Sequence, residues 1–167
     1  MDLLIRMLPF DYRAAAVALG SIGDPKAVVP LIALLQKNEI GDDVEVIRAL
    51  GQLGDARAFE SLLSRLPKSS GYSRVLIVTA LGRLRDPRAV EPIMSVLNSR
   101  EDAYSSDIYK AVIEALREIP GPATVKALQK IVNDAFLHRN NSSWSSLADQ
   151  GAEILMKLGV SAAPSTH

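Results

Sequence analysis

Apolar residues recur along this chain with a helical period, and the whole pattern is itself repeated. Near-identical segments, ALGSIGDPKAV, ALGQLGDARAF and ALGRLRDPRAV, begin at Ala18, Ala49 and Ala80, so that successive copies are 31 residues apart. Self-similarity at a fixed period of this length is typical of helical units that stack into an array. The sequence therefore predicts a repeat fold rather than a single irregular core.

Each copy predicts two helices, a helix A and a helix B, joined by a tight turn. In the first copy, helix A reads YRAAAVALGSIG and ends at Gly23, because glycine accepts the left-handed conformation that often closes a helix. Asp24 follows as a strong N-cap, and Pro25 occupies the first helical position, where its missing N–H has no cost. The second copy repeats this turn, and the third replaces the glycine with Arg85.

One face of helix B is apolar in every copy, with small residues preceding it. The spacing i, i+3, i+7 predicts that this stripe is buried against helix A and the neighbouring copies. Its members are Ala27, Val28, Leu31, Leu35; Ala58, Phe59, Leu62, Leu66; Ala89, Val90, Ile93, Leu97; and Thr124, Val125, Leu128, Val132.

We therefore expect an all-α fold: a right-handed α-solenoid of about four stacked helical hairpins with half-repeat caps. The solenoid is expected over residues 1–159, with units at roughly 11–38, 43–68, 73–99 and 107–138, a half unit at 145–159, and a disordered tail at 160–167. The segment before the first unit looks like a helix B without its helix A, so it is either a cap or part of a longer array.

The pattern AAxALGxIGDPxAVxPLIxLL resembles the HEAT-like repeat named after phycobilisome lyases. Three copies carry the resemblance, at Ala14–Leu35, Val44–Leu66 and Val75–Leu97, and the fourth is weaker. The resemblance implies a helical repeat fold. It leaves function open, since similar proteins act as scaffolds, enzyme-associated chaperones, bilin lyase subunits or DNA-repair proteins.

Composition excludes several classes of function. Lys plus Arg and Asp plus Glu are 19 each, and such a balance disfavours a general nucleic-acid binder, which needs excess positive charge. The chain has no cysteine, so thiolate chemistry and disulfides are excluded. No apolar run has membrane-spanning length, and the first residues, MDLLIRMLPF, are unlike a secretory signal. We expect a cytoplasmic protein without membrane insertion.

Catalytic and metal-binding patterns are missing from the sequence. The two histidines, His138 and His167, have no metal-ligand spacing, and the His-Glu pairs of iron-binding HEAT-like hydroxylases do not occur. The recurring aspartates Asp24, Asp55 and Asp86 are interpreted as helix caps rather than a carboxylate row. No catalytic residue, metal or cofactor is predicted.

Two surfaces are candidates for binding a partner. The first is the exposed face of helix B, which is expected to be concave. The alternative is that this face is an ordinary solvated surface, on which the ion pairs Arg57–Glu60 and Arg88–Glu91 maintain solubility. Its members are Lys26, Val29, Ala33, Arg57, Glu60, Ser64, Arg88, Glu91, Ser95, Lys126 and Lys130.

The second candidate surface is an edge of loops between units, which carries the aromatic residues Tyr72, Tyr104 and Trp144, together with Phe10 and Ile40. Exposed aromatic residues mark protein contacts, whereas the alternative is that each side chain folds back as a hydrophobic staple beside the next helix.

These observations predict a non-catalytic scaffold or adaptor that binds a protein partner on the concave helix-B face, within a longer chain or a heteromeric complex. Two alternatives stay open at this stage. One is a bilin lyase subunit or chromophore chaperone, as the resemblance implies, and the other is a HEAT-like DNA-binding protein.

Overall fold

The structure, a computed structural model, describes residues 2–37, 44–97, 106–137 and 142–160. These residues form helices joined by short turns, with no β-strand among them, and the predicted all-α class is confirmed. The α-helices are α1 (Asp2–Met7), α2 (Tyr12–Ile22), α3 (Val28–Gln36), α4 (Val44–Leu53), α5 (Phe59–Arg65), α6 (Gly71–Arg83), α7 (Val90–Val96), α8 (Ser106–Glu118), α9 (Pro122–Leu137) and α10 (Ser142–Lys157).

The chain divides into two compact units, Met1–Leu84 and Arg85–His167. The first unit holds α1 to α6 and the second holds α7 to α10, so the division falls between helix A and helix B of the third copy. The predicted limits of the repeats and of a single array over residues 1–159 stay predictions.

In the first unit, the A helices of successive copies pack side by side in chain order. Helix α2 packs on α4, and α4 packs on α6, while the B helix α3 also packs on α4. The glycines of the first two ALG motifs, Gly20 and Gly51, lie at these contacts: a Cβ on Gly51 would be 2.9 Å from the Cβ of Ala80. Small residues are needed here because the two helix backbones approach each other so closely.

The predicted apolar stripe forms the core of this unit. In α3 and the turn before it, Ala27, Val28, Leu31 and Leu35 are buried. The second copy buries the equivalent four residues, Ala58, Phe59, Leu62 and Leu66.

The second unit buries the same positions, with two exceptions. Ala89, Val90 and Ile93 are buried in its first helix, whereas Leu97 and Val125 are only half-buried. Thr124, which replaces the small alanine of the other copies, is also buried, and its hydroxyl donates to the carbonyl of Ile119 at 2.8 Å. Helix α10 packs on α9 and α8.

The turn between helix A and helix B has the predicted chemistry. Gly23 and Gly54 have φ angles of 74° and 61°, in the left-handed region. Asp24 then accepts a hydrogen bond from the backbone N–H of Lys26 at 2.8 Å. Helix B begins with a short 3₁₀ turn, as at Pro25–Ala27, before the α-helix proper.

The third copy keeps this turn although it lacks the glycine. Arg85 has a φ angle of 57° and is the non-glycine residue with positive φ in the described chain. A side chain in this conformation is strained by about 1–2 kcal/mol because its Cβ crowds the following carbonyl oxygen.

Arg85→Gly is therefore expected to stabilise the protein by about 0.5–1 kcal/mol. The loss of the exposed ion pair between Arg85 and Glu118, 3.1 Å apart, offsets only a small part of this gain. Urea unfolding measures the difference. Arg85→Ala is the control: it removes the same ion pair but keeps the strain, so it should not stabilise. A glycine variant no more stable than the alanine variant would contradict the interpretation.

The segment around Trp144 differs from expectation. We expected Trp144 to lie in a loop between units, but α10 already begins at Ser142. Serine occurs in loops, and it is equally favoured at a helix N-terminus, where its hydroxyl can bond to unpaired backbone groups. Trp144 thus lies in the first turn of a helix.

Candidate interaction surfaces

The predicted helix-B face is exposed throughout, and we use this name for the eleven residues predicted above. In the first unit its members are Lys26, Val29, Ala33, Arg57, Glu60 and Ser64. In the second unit they are Arg88, Glu91, Ser95, Lys126 and Lys130. The structure places every member on the surface of its unit. Whether the face is concave and binds a partner stays a prediction.

Within the first unit, two direct contacts join the B helices of neighbouring copies. The side-chain amide of Gln36, at the end of α3, donates to the hydroxyl of Ser61 in α5 at 3.3 Å. The guanidinium of Arg57 donates to the backbone carbonyl of Pro25 at 3.1 Å. These contacts join the two B helices that carry the first-unit part of the helix-B face.

Arg57 is held by the aspartate that caps its own helix. Its Nε and Nη2 atoms donate to the two carboxylate oxygens of Asp55 at 2.9 and 2.7 Å. Asp55 also accepts from the backbone N–H of Arg57 at 2.9 Å. The same arrangement joins Arg88 to Asp86, at 2.6 Å. Sequence reasoning considered pairs with Glu60 and Glu91 in one alternative and missed this contact, although the motif Asp-x-Arg occurs in both copies.

The capping interpretation of the three recurring aspartates is confirmed. Each accepts a hydrogen bond from the backbone N–H two residues further on, at 2.8 to 2.9 Å. Within the described parts of the chain, no group of three or more acidic or histidine side chains could hold a metal ion. His138 and His167 lie outside the described residues.

The predicted aromatic edge is described only in part. Tyr72 is exposed, and its hydroxyl accepts a hydrogen bond from the guanidinium of Arg48 at 3.0 Å. Phe10 is exposed and does not fold back as a staple. Tyr104 and Ile40 lie outside the described residues, as does the side chain of Trp144.

A groove that sequence reasoning missed lies between the A helices α4 and α6 of the first unit. It has a volume of about 180 Å³. Gly51 and Ala80 line it where the helices touch, and Arg48 and Arg83 contribute the charged side chains. The remaining lining residues are Ile47, Gln52, Leu76 and Thr79. No single-copy pattern reveals the groove, because its two arginines occupy different positions of the repeat.

Two family models match the chain over most of its length. The PBS lyase HEAT-like repeat matches residues 11–37 and 44–66, which are the first two copies. HEAT repeats match residues 60–141, which continue from the second copy through the fourth. The chain is a HEAT-like repeat protein.

The resemblance found in the sequence motif is thereby confirmed, and HEAT repeats commonly serve as scaffolds for protein interaction. No curated protein matches this HEAT-like repeat protein in sequence. Among its described helices, none combines the length and the apolar character needed to cross a bilayer.

The Asp55–Arg57 contact gives the HEAT-like repeat protein a pH-dependent term in its stability. Hydrogen bonds from the Arg57 side chain, then from its backbone N–H, lower the pKa of Asp55 from 3.8 to about 2. The pKa of Asp86 is lowered by Arg88 in the same way. Because the folded-state pKa of Asp55 lies below the unfolded one, its contribution is complete above about pH 4 and disappears as the pH falls through about 2.

Asp55→Asn should isolate this ionic contribution. Asparagine keeps an oxygen that caps the helix and removes only the charge. We expect the variant to be less stable than wild type at pH 6, and the difference to be much smaller at pH 2. Urea unfolding at a series of pH values measures both. A difference that stays constant down to pH 2 would show that the charge of Asp55 contributes nothing.

Proposed function

We propose that this HEAT-like repeat protein is a non-catalytic interaction module that binds a protein partner on its helix-B face. The observation that carries the proposal is the way the first-unit face is built. Arg57 is fixed on it by bonds to Asp55 and Pro25, and Val29, on the neighbouring B helix, is 58% exposed.

A fixed arginine and an exposed apolar residue on the same face suit protein recognition. Arginine is enriched in protein interfaces, and an immobilised side chain loses little entropy when a partner binds. Half of the Arg57 side chain, 51%, is still accessible in spite of its bonds to Asp55 and Pro25. The face therefore offers a preorganised cation and an exposed apolar side chain.

Arg57 itself is a poor probe of this proposal. Its replacement would remove contacts to the cap and to the preceding copy, so that weaker binding could reflect a disturbed fold. Val29 is a better probe because its side chain points away from the core, and α2 carries a matched control. Val17 is the same residue type, is 49% exposed, and lies on an A helix.

Photo-crosslinking tests the assignment directly. A photoreactive phenylalanine analogue is placed at position 29 or position 17, crosslinked in the host cell, and the captured partner is identified by mass spectrometry. We expect a discrete crosslinked partner from position 29 and none of that identity from position 17. Equal capture from both positions would reject the helix-B face.

The identified partner then allows a quantitative test by isothermal titration calorimetry. Val29→Asp and Ser64→Arg should each weaken binding about tenfold, which is typical of a residue inside an interface. Val17→Asp should bind as wild type does. Unchanged affinity of both helix-B variants, with circular dichroism showing a native fold, would overturn the proposal.

A further inference from the structure

The groove between α4 and α6 is a second candidate site, on different helices from the helix-B face. All eight of its lining residues belong to the first unit, and none of them is a member of the helix-B face. It therefore needs its own explanation.

One residue difference between copies distinguishes this contact from the preceding one. At the preceding contact, between α2 and α4, the side chain of Gln52 lies over Gly20: a Cβ there would be 2.4 Å from its Oε1 atom. Arg83 occupies the equivalent position of the next copy, but the atoms nearest to a Cβ on Gly51 all belong to Ala80. Gln52 thus covers the glycine at the first contact, whereas Arg83 does not cover Gly51 at the second.

The charge of the groove has a single sign. Arg48 and Arg83 are its charged lining residues, and both are exposed. Arg48 is oriented by its hydrogen bond to Tyr72. The side chain of Arg83 makes no hydrogen bond or ion pair to any residue that the structure describes. Glu45, one turn before Arg48, is half-buried and does not line the groove.

The size and lining of the groove suit one planar side chain. Its volume is about 180 Å³, and an apolar cavity of about 150 Å³ suffices to bind benzene. Apolar groups of Ile47, Leu76 and Ala80 contribute to the lining. An aromatic ring could rest between them, with the arginines on either side.

We propose that this groove binds an acidic peptide segment that carries one aromatic side chain. The ring occupies the space over Gly51 and Ala80, and flanking carboxylates pair with Arg48 and Arg83. Arginine favours this ligand because its planar guanidinium donates two parallel hydrogen bonds to a carboxylate. A nucleic acid is a poorer fit, since the chain has no net positive charge.

Fluorescence anisotropy with three labelled peptides tests the chemistry. The probe is Glu-Glu-Phe-Glu-Glu, and the controls are Glu-Glu-Gly-Glu-Glu and Lys-Lys-Phe-Lys-Lys. We expect each control to bind at least about fivefold more weakly than the probe, and higher salt to weaken the probe further. Equal binding of all three peptides would overturn the proposal.

Variants of the protein test whether the probe peptide binds in the groove. Arg83→Gln should weaken the probe about two- to fivefold, as expected for a largely exposed ion pair, and Thr79→Phe should abolish binding by filling the groove. Arg13→Gln, which removes an exposed arginine from α2 outside the groove, is the matched control and should change nothing.

The peptide-binding test of the groove does not depend on the helix-B proposal. Val29→Asp should leave probe binding unchanged, whereas loss of binding in that variant would assign the peptide to the helix-B face and overturn the groove. Circular dichroism confirms that each variant is folded. If Thr79→Phe proves unfolded, the affinities of the Arg83→Gln and Arg13→Gln variants for the probe decide whether the peptide binds in the groove.

Discussion

Replacing Phe59 with alanine is expected to lower the free energy of unfolding by about 3–5 kcal/mol. Phe59 is the first residue of α5 and is only 2% exposed. It is the largest member of the apolar stripe, at the position that valine occupies in the first and third copies. Removing its ring loses the transfer free energy of the buried atoms and leaves a cavity that neighbouring helices cannot close.

Urea unfolding followed by circular dichroism measures this loss, and the chain supplies a matched control. Phe10 is 91% exposed, so Phe10→Ala should change the stability by less than about 0.5 kcal/mol. Phe59→Val restores the residue of the other copies and should cost less than alanine. Equal effects of the two alanine variants would show that the stripe is not the core.

The second large effect is expected at the contact between α4 and α6. Gly51→Ala should destabilise the protein by about 1–2 kcal/mol, although alanine is the better helix former by up to about 1 kcal/mol. The new methyl group would lie 2.9 Å from the Cβ of Ala80 and 3.1 Å from its Cα. Since the second of these atoms is backbone, the two helices would have to separate.

Gly151→Ala is the control for this prediction, because it makes the same change inside a helix. A Cβ at Gly151 would lie 3.2 Å from a methyl group of Val132, a side chain that can shift by a few tenths of an ångström. The gain in helix propensity then balances the contact, and we expect a stability within about 0.5 kcal/mol of wild type. Equal losses in the two variants would contradict the close approach of α4 and α6.

Much of the local structure was predictable because each part depends on neighbouring residues in the chain. Asp24 caps the helix that starts beside it, and Gly23 adopts its conformation with the residues on either side. The apolar stripe was predictable as well, since any stacked helix must bury its continuous apolar face. The repetition strengthened these predictions, because the residue type is similar in all copies at the capping and core positions and varies at the exposed ones.

The candidate sites were less predictable. The exposed residues of the helix-B face follow from helical periodicity, but the bonding of Arg57 to Asp55 and Pro25 does not, because it joins side chains across a turn and a neighbouring copy. The serine-rich start of α10 also misled the prediction, since the same residues suit a loop and a helix N-terminus.

By itself, the sequence determined the class of fold, the turns, the caps and the residues of the core, because these depend on periodicity and on contacts a few residues apart. Only the tertiary structure decided where adjacent helices touch, which arginine is fixed, and which contact between copies is left open as a groove. Such features depend on pairs of residues about 31 positions apart. The sequence of a single copy does not show which side chains of the next copy will contact it.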